Sequence, residues 1–347
     1  MSENTEYLSK RALLIIGIIS LAILIIGVIL FYSDLNEEFY VESGAAQTIF
    51  QAITYLGEPV VFIIIAAILY LGYNKRYAKN LAVCLLFSTY LNGLLKEIFE
   101  DPRPLEGNSD LNEDFQLKEV SYGFPSGHSQ SAVSFWGYIS YEFDEPKYKV
   151  KNYNIPIIPA ILSIVIFLVA ISRIIIGVHD LQDIIGGLLI GIGLLLLFIY
   201  AEPFITEHFN KLTFIPKLIL VAVISLAAFL IGTFLFPKAG YISDVHADVP
   251  IYPDGGAFGQ VGGVLFGFGI GYILEHEYVK YDPSALPNKK KIINVIIGLI
   301  IVILVFVPFE YLLEINSVFY RFARYAIMAF VLAFVVPLIC TKLNEKK

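Results

Sequence analysis

The chain has 347 residues, of which 57% are hydrophobic and only 16% are charged, and its mean hydropathy is +0.72. This composition excludes an ordinary soluble domain and indicates that lipid is the solvent for most of the protein. The formal net charge of -7 and the absence of a basic stretch interleaved with aromatic residues argue against nucleic acid as a partner.

Apolar segments long enough to cross a bilayer recur along the whole chain. A membrane-spanning helix needs roughly 17 to 25 apolar residues. Ten segments are candidates, at residues 13–32, 59–73, 80–98, 126–143, 155–176, 181–201, 217–236, 258–274, 292–313 and 319–340. The second and eighth are short and the fourth is rich in serine, so these three depend partly on their neighbours. The predicted fold class is an all-α integral membrane protein.

The distribution of lysine and arginine predicts the orientation in the membrane. If the N-terminus is inside, 17 of the 24 lysines and arginines fall on the inner side and 7 on the outer side. Positive residues accumulate on the cytoplasmic side of membrane proteins. We therefore expect a multi-pass protein of the cell membrane with both termini in the cytoplasm. The first span, which follows Lys10 and Arg11, is expected to be a retained anchor.

Two segments beside the early spans have features of their own. Residues 43–56 are predicted to form an amphipathic helix along the outer interface, because apolar residues recur there at helical spacing, although a simple loop is the alternative. The acidic segment 100–124 is the longest outer connection and is predicted to form the rim of a site. Cys84 and Cys340 both lie inside predicted spans, which argues against a disulfide framework.

Three polar clusters lie at the ends of spans, all on the predicted outer side. They are Lys96 with Arg103-Pro104 where the third span ends, Pro125-Ser126-Gly127-His128 where the fourth begins, and Ser172-Arg173, His179 and Asp183 across the junction of the fifth and sixth. Ionisable residues are costly to bury near a bilayer, so they indicate a functional site by default. Taken singly, the clusters also fit a snorkelling lysine, a helix cap and a polar packing residue.

Taken together, the clusters contain what the binding of a phosphate requires. Lys96, Arg103 and Arg173 are three cations able to neutralise a phosphate and the charge on its oxygens in the transition state. The backbone N–H groups of Gly127 and His128 would lie at a helix N-terminus, which favours anions. The residues therefore predict a phosphoryl-transfer site in which side chains supply the positive charge, and no metal ion or other cofactor is expected.

The two histidines supply the remaining chemistry. His179 and Asp183 are four residues apart, which places them on one face if both are helical. A carboxylate that accepts a hydrogen bond from one ring nitrogen leaves the other nitrogen with a lone pair for attack on phosphorus. We therefore predict His179 as the nucleophile and Asp183 as its partner. His128 would protonate the leaving alcohol and later activate water.

The three clusters resemble the signature motifs of the type 2 phosphatidic acid phosphatase (PAP2) superfamily, Lys-x6-Arg-Pro, Pro-Ser-Gly-His and Ser-Arg-x5-His-x3-Asp, in the same order and without a departure. The resemblance covers about residues 13–201 and implies a six-helix core, followed here by about four additional C-terminal transmembrane helices. It implies a phosphohistidine on His179, with Asp183 and His128 as catalytic partners. The residues it assigns to phosphate binding are Lys96, Arg103, Ser126, Gly127 and Arg173.

The chain is expected to divide into two domains. Residues 1–205 would form a PAP2-type catalytic membrane domain, and residues 206–347 would add accessory transmembrane helices whose role stays open. The glycine-rich eighth span is predicted to pack closely against another helix, with a substrate groove as the alternative. The acidic outer loop 237–256 is predicted to be solvated rather than to bind a cation.

The expected function is metal-independent hydrolysis of a lipid phosphate or pyrophosphate at the outer face of the membrane. The substrate could be a polyprenyl phosphate, phosphatidic acid, phosphatidylglycerol phosphate or a sphingoid phosphate, and the sequence does not choose among them. Two alternatives stay open: a phosphotransferase that uses the same intermediate with an alcohol acceptor, and a transporter whose outer site only binds an anion. The sequence does not indicate an oligomeric state.

Overall fold

The computed structural model describes residues 45–101, 103, 121–143, 147–150, 153–235, 257–311 and 317–345. Its helices are α1 (Ala45–Thr54), α2 (Pro59–Gly72), α3 (Lys75–Phe99), α4 (Gly127–Glu142), α5 (Ile157–Ile175), α6 (Leu181–Asn210), α7 (Phe214–Leu235), α8 (Ala257–Leu274), α9 (Asn288–Tyr311), α10 (Val318–Phe330) and α11 (Val336–Glu345). Two strands, β1 (Lys147–Val150) and β2 (Tyr153–Pro156), pair antiparallel between α4 and α5.

The helical membrane class predicted from composition is confirmed, whereas the number of spans is not. Among the described residues, seven helices are long and apolar enough to cross a bilayer, or eight if the bent pair Thr48–Gly57 and Pro59–Gly72 is one span. Helix α4 has 16 residues, is shorter than each of the seven candidates, and is not one of them. The first predicted span, 13–32, lies outside the described residues. The count of ten therefore stays a prediction.

Several helices extend beyond the apolar segments that predicted them. Helix α3 begins at Lys75, and α6 continues to Asn210 through an internal Pro203. The difference arises because hydropathy marks the part of a helix that lies in lipid, whereas the hydrogen-bond ladder continues into polar turns. The last predicted span contains a π-helical segment, Val331–Val335, between α10 and α11.

The first compact unit contains the described residues 45–57, 100–101, 103 and 123–210. Within it, α4 packs against both α5 and α6, and α1 packs against α5. A small apolar cluster of Ala170, Ile174 and Ile184 joins α5 to the start of α6. This unit also contains the β1–β2 hairpin, which the sequence did not predict because its strands are short and lie in a lysine-rich connection.

The second compact unit contains residues 58–99 and 121–122 and the described residues from Lys211 onward. Within it, α8 packs against α7, α10 and α3. Added Cβ atoms on Gly263 and Gly267 would collide with the backbone of Phe322 and Ala326 on α10. The close packing predicted for the glycine-rich span is therefore confirmed. The domain boundary between residues 205 and 206 stays a prediction.

Candidate active site

The residues of the three motifs lie at the ends of helices. Lys96 is in the last turn of α3, and Arg173 is in the last turn of α5. Ser126 is the N-cap of α4, and Asp183 is in the first turn of α6. His179 lies in the connection between α5 and α6. All of these except Lys96 belong to the first compact unit, which also contains Arg103.

His179 is buried and has a polar partner beside each ring nitrogen. Its Nδ1 lies 2.8 Å from Oδ2 of Asp183. Its Nε2 lies 3.3 Å from Nη1 of Arg103, and that guanidinium also donates to the carbonyl oxygen of Val178 at 2.8 Å. His179 is 3% exposed and Asp183 is 0% exposed. The carboxylate favours the imidazole tautomer with its proton on Nδ1, so the lone pair of Nε2 faces the guanidinium.

The predicted contact between His179 and Asp183 exists, but the assumption that both residues lie on one helix is wrong. Helix α6 begins at Leu181, so His179 precedes the helix. The side chain of Asp183 turns back toward the residues before the helix, where its Oδ2 also accepts from the N–H of Asp180 at 3.2 Å. The carboxylate thus caps the start of its own helix while it holds the histidine.

A turn at Gly177 places His179 in this position. Helix α5 ends at Ile175, and Gly177 has a φ of 77°, which residues with a Cβ rarely adopt. The N–H of Val178 donates to the carbonyl oxygen of Arg173 at 3.1 Å and closes the turn. The apolar segment between Arg173 and His179 is therefore a tight helix end and not an extended linker.

The start of α4 is bonded to the start of α6. Ser126 caps α4 by accepting from the N–H of Ser129 at 3.4 Å. The N–H of Ser126 donates to the carbonyl oxygen of Asp183 at 3.0 Å. Since Asp183 also holds His179, the second and third motifs meet at one residue. Gly127 follows the cap and contributes one of the first N–H groups of α4, where the helix dipole favours an anion.

Two glycines of α6 permit this close approach. A Cβ on Gly187 would lie 2.6 Å from the carbonyl oxygen of Ser126, and a Cβ on Gly191 would lie 2.9 Å from that of Gln130. Both distances are shorter than real Cβ contacts, and both contacted atoms belong to the backbone. The glycines one turn apart therefore allow the start of α4 to lie directly on α6.

Two arginines of the motifs are buried in the first unit. Arg103 is 8% exposed and Arg173 is 2% exposed. Nη1 of Arg173 donates to Oγ1 of Thr54, at the end of α1, at 2.8 Å. A guanidinium stays charged in a protein, and burying charge costs free energy unless other groups compensate it. Two buried guanidinium groups, one of which lies beside His179, are therefore typical of an anion-binding site.

Lys96 lies in the second unit and His128 in the first, and each has its own neighbours. Lys96 is 7% exposed, and its Nζ donates to the carbonyl oxygen of Tyr122 within the second unit. The half-buried ring of His128 lies beside Gly57, where an added Cβ would be 2.9 Å from Cδ2 of the ring. The roles predicted for these two residues stay predictions.

Sequence reasoning missed three polar residues around the motifs. Thr54 is 2% exposed and bonded to Arg173. Nε2 of Gln182 lies 3.4 Å from Oδ2 of Asp101, which links the start of α6 to the segment that carries Arg103. None of the three occupies a fixed position of a motif. The available signal for Thr54 was a hydroxyl group at the end of the predicted amphipathic helix.

The geometry agrees with the comparison to protein families. Residues 77–207 match the model of the PAP2 superfamily, and residues 259–347 match the transmembrane extension of PAP2 superfamily phosphatases. The chain is 34% identical over 161 residues to phosphatidylglycerophosphatase B of Bacillus subtilis, a match that covers 44% of this chain and 71% of that protein. The chain therefore belongs to the PAP2 superfamily.

Two eukaryotic relatives are more distant. Sphingosine-1-phosphate phosphatase 2 of Mus musculus is 26% identical over 244 residues, which cover 69% of this chain and 63% of that protein. Lipid phosphate phosphatase delta of Arabidopsis thaliana is 23% identical over 184 residues, which cover 50% of this chain and 43% of the relative. The chain thus spans less than two thirds of the length of these two relatives.

One solved structure is similar to part of the chain. It is the crystal structure of the first transmembrane PAP2 type phosphatidylglycerolphosphate phosphatase from Bacillus subtilis, with a TM-score of 0.40 and 22% sequence identity. The match covers 54% of this chain and 96% of that one. The membership of the superfamily follows from the sequence matches and not from this structure.

Proposed function

We propose that this protein hydrolyses the phosphate monoester or diphosphate of a membrane lipid through a phosphohistidine formed on His179. The observation that carries the proposal is the position of His179 between Asp183, at 2.8 Å, and Arg103, at 3.3 Å. The carboxylate orients one ring nitrogen, and the guanidinium marks the place of a phosphate beside the other. The residues proposed as nucleophile, orienting group and cation thus lie in one buried cluster.

In the first step, Nε2 of His179 attacks phosphorus and the P–O bond to the lipid breaks. Protonated His128 donates its proton to the departing oxygen. A monoester releases a lipid alcohol in this way, and a diphosphate releases a lipid monophosphate. Asp183 stabilises the positive charge that the imidazole acquires. Arg103 and Arg173 neutralise the oxygens of the phosphoryl group during transfer.

In the second step, water attacks the phosphorus of the phosphohistidine. His128, now neutral, accepts a proton from that water. The P–N bond breaks and its electron pair returns to Nε2 of His179. Inorganic phosphate leaves, and both histidines regain their starting protonation states.

The remaining phosphate contacts are proposed from the start of α4 and from α3. The N–H of Ser126 is already donated to Asp183, so Ser126 would contribute its hydroxyl group and Gly127 its backbone N–H. The first motif supports the inclusion of Lys96, whose ammonium group adds a third cation. Within the first unit, Arg103, Arg173 and the start of α4 are proposed to contact the oxygens of the phosphoryl group.

The substrate class is proposed from the membrane character of the chain and from its relatives. The three relatives carry the names of a lipid phosphate phosphatase, a sphingosine-1-phosphate phosphatase and a phosphatidylglycerophosphatase. The chemistry common to these names is a phosphate monoester at the end of a lipid. We propose that this phosphate is recognised by the arginines, while the rest of the lipid stays in the bilayer.

The active site is proposed to face the outside of the cell, with both termini in the cytoplasm. The support is the distribution of lysine and arginine, since 17 of 24 fall on the opposite side from the motifs. Both native cysteines are buried, so single cysteines can be introduced and labelled in whole cells. Ser121→Cys should react with an impermeant maleimide in intact cells, and Lys211→Cys only after permeabilisation. The reverse pattern would contradict the orientation.

The test of the function is phosphate release by the purified protein from a panel of lipids without an added alcohol acceptor. The panel contains phosphatidic acid, phosphatidylglycerol phosphate, sphingosine 1-phosphate and undecaprenyl phosphate and diphosphate. We expect release from at least one lipid, and none from the His179→Ala variant, which should remain folded. Normal release by His179→Ala would contradict the proposed nucleophile. Release that appears only when an alcohol is added would instead indicate a phosphotransferase.

A further inference from the structure

We infer that residues 54–57, the turn that follows α1, are a part of the proposed active site that positions Arg173 and His128. The turn precedes all three motifs and lies outside the segment 77–207 that matches the superfamily. It contacts both of these residues within the first compact unit. The inference depends on the proposed function, because it concerns how those two residues are held.

Thr54 orients the guanidinium of Arg173. Its Oγ1 accepts a hydrogen bond from Nη1 at 2.8 Å, and both side chains are almost completely buried, at 2% exposure each. A guanidinium is a planar fork whose donors point in fixed directions, so fixing one terminal nitrogen fixes the plane of the whole group. Thr54 therefore determines which edge of Arg173 is presented to a phosphate.

Gly57 determines the position of the ring of His128. A Cβ at this position would lie 2.9 Å from Cδ2 of His128 and 2.8 Å from Cγ1 of Val169. Both distances are shorter than real Cβ contacts, so one of the two side chains would have to move. Val169 is itself buried, at 0% exposure, whereas the ring of His128 is half-buried and has more freedom to move. A side chain at position 57 would therefore displace the proposed acid.

The turn is held in place by the same helices that carry the motifs. Nε1 of Trp136, on α4, donates to the carbonyl oxygen of Leu56 at 3.0 Å. Helix α1 packs against α5, which ends with Arg173. The turn thus contacts both α4 and α5. Thr54 is a positioning residue for phosphate binding, and Gly57 is a positioning residue for proton transfer.

The first experiment compares threonines of the same helix. The affinity for orthovanadate, a phosphate mimic, is measured by titration calorimetry on purified Thr54→Val, Thr54→Ser and Thr48→Val proteins. Loss of a hydrogen bond to a charged group should weaken vanadate binding by Thr54→Val about tenfold or more. Thr54→Ser keeps the hydroxyl group and should bind within about threefold of wild type, as should Thr48→Val, where the residue is exposed.

A double-mutant cycle separates positioning from a general loss of structure. In the Arg173→Ala background, Thr54→Val should cause no further loss of vanadate affinity, because the group that it orients is gone. Equal losses in the two backgrounds would overturn the role of Thr54. Vanadate binding by Thr54→Val equal to that of Thr48→Val, with Arg173→Ala impaired, would also overturn it and would leave the proposed function intact.

The second experiment compares two glycines of the same unit. Gly57→Ala should lower kcat by about tenfold or more on the lipid with the highest rate in the panel, while vanadate affinity is retained, because His128 acts in proton transfer. Gly193→Ala is the control, since an added Cβ there meets nothing within 4 Å. Retained vanadate binding shows that the phosphate site is folded. Equal kcat values for the two variants would overturn the role of Gly57.

The two failures are distinguishable. If His179→Ala releases phosphate like the wild type, the proposed reaction through a phosphohistidine on His179 is wrong. If His179→Ala is inactive while Thr54→Val and Gly57→Ala both behave like their controls, only the inference about the turn is wrong.

Discussion

At the scale of residues, the environment of His179 explains how a histidine could act as a nucleophile. Burial removes competing water, and the carboxylate of Asp183 at 2.8 Å holds the imidazole in one orientation and one tautomer. In the proposed mechanism, the carboxylate also stabilises the positive charge that develops on the ring during attack. Arg103 beside Nε2 lowers the free energy of an anion at the position proposed for attack.

The Asp183→Asn variant tests this arrangement. The amide keeps the size of the side chain but can donate to Nδ1, which favours the wrong tautomer, so kcat should fall by about 10²–10⁴-fold. Steady-state phosphate release measures the effect. Asp180→Asn is the matched control, since this neighbour contacts Asp183 through its backbone N–H. An Asp183→Asn enzyme with a kcat within threefold of wild type would contradict the role of the carboxylate.

At the scale of elements, the site depends on how closely α4 and α6 approach. The N–H of Ser126 reaches the carbonyl oxygen of Asp183 only because Gly187 and Gly191 present no side chains to α4. The helix N-terminus that is proposed to bind phosphate and the histidine that is proposed to attack it are thereby fixed to each other. Small residues at this contact therefore belong to the architecture of the site.

Gly187→Ala is expected to disturb this contact. Its Cβ would lie 2.6 Å from a backbone oxygen that no rotamer change can remove, so unfolding free energy should fall by about 1–3 kcal/mol and activity should be largely lost. Thermal unfolding in detergent and phosphate release are measured together. Gly193→Ala, on the same helix, should match the wild type in both. Normal activity of Gly187→Ala would show that the approach of the helices is not required.

In the second unit, an ion pair fixes the N-terminal end of α3. Nζ of Lys75 lies 2.7 and 2.6 Å from the two carboxylate oxygens of Glu275, which is 0% exposed. The N–H of Tyr281 donates to the same carboxylate at 2.6 Å, and burial raises the pKa of the Tyr281 phenol to about 12. The phenol therefore stays protonated and donates to the carbonyl oxygen of Leu71 at 2.6 Å.

Glu275→Gln should destabilise this unit. The change leaves the charge of Lys75 without its carboxylate partner. Because Lys75 is partly accessible to water, we expect a loss of unfolding free energy of about 3 kcal/mol, the low end of the range for a broken buried ion pair. Chemical unfolding in detergent measures the cost. Glu277→Gln is the control, because Glu277 is exposed on the π-helical segment Glu275–Val279, which also contains Glu275. If the two variants unfold at the same denaturant concentration, the ion pair contributes nothing to stability.

At the scale of the whole molecule, the sequence predicted the parts that depend on local pattern. Apolar length predicted α2, α5 and α7 within a few residues, because burial in lipid requires uninterrupted apolar helices. The third motif predicted the contact between His179 and Asp183, which the structure contains, whereas the roles of the motif residues stay predictions. The position of His179 outside the helix was not predicted, since it follows from the left-handed conformation of Gly177.

Other features depended on tertiary contacts that no local pattern reports. Thr54 is more than a hundred residues from Arg173 in sequence. In the sequence alone it cannot be told apart from any other hydroxyl residue at the end of a helix. The proposed role of Gly57 depends on His128 and Val169, which lie beside it in the structure and not in the sequence. The β1–β2 hairpin is too short to give a clear alternating pattern. These contacts become visible only when distant segments are placed together.

Residues 77–207 match the superfamily, and residues 259–347 match a transmembrane extension of its phosphatases. The central claim, however, concerns one atom, Nε2 of His179. The most direct measurement is to quench the enzyme at alkaline pH during turnover of a ³²P-labelled lipid phosphate and to locate the label by peptide mapping. The account predicts an acid-labile, alkali-stable phosphoryl group on His179 that is absent from His179→Ala. Label on another residue in the wild-type protein would contradict the account.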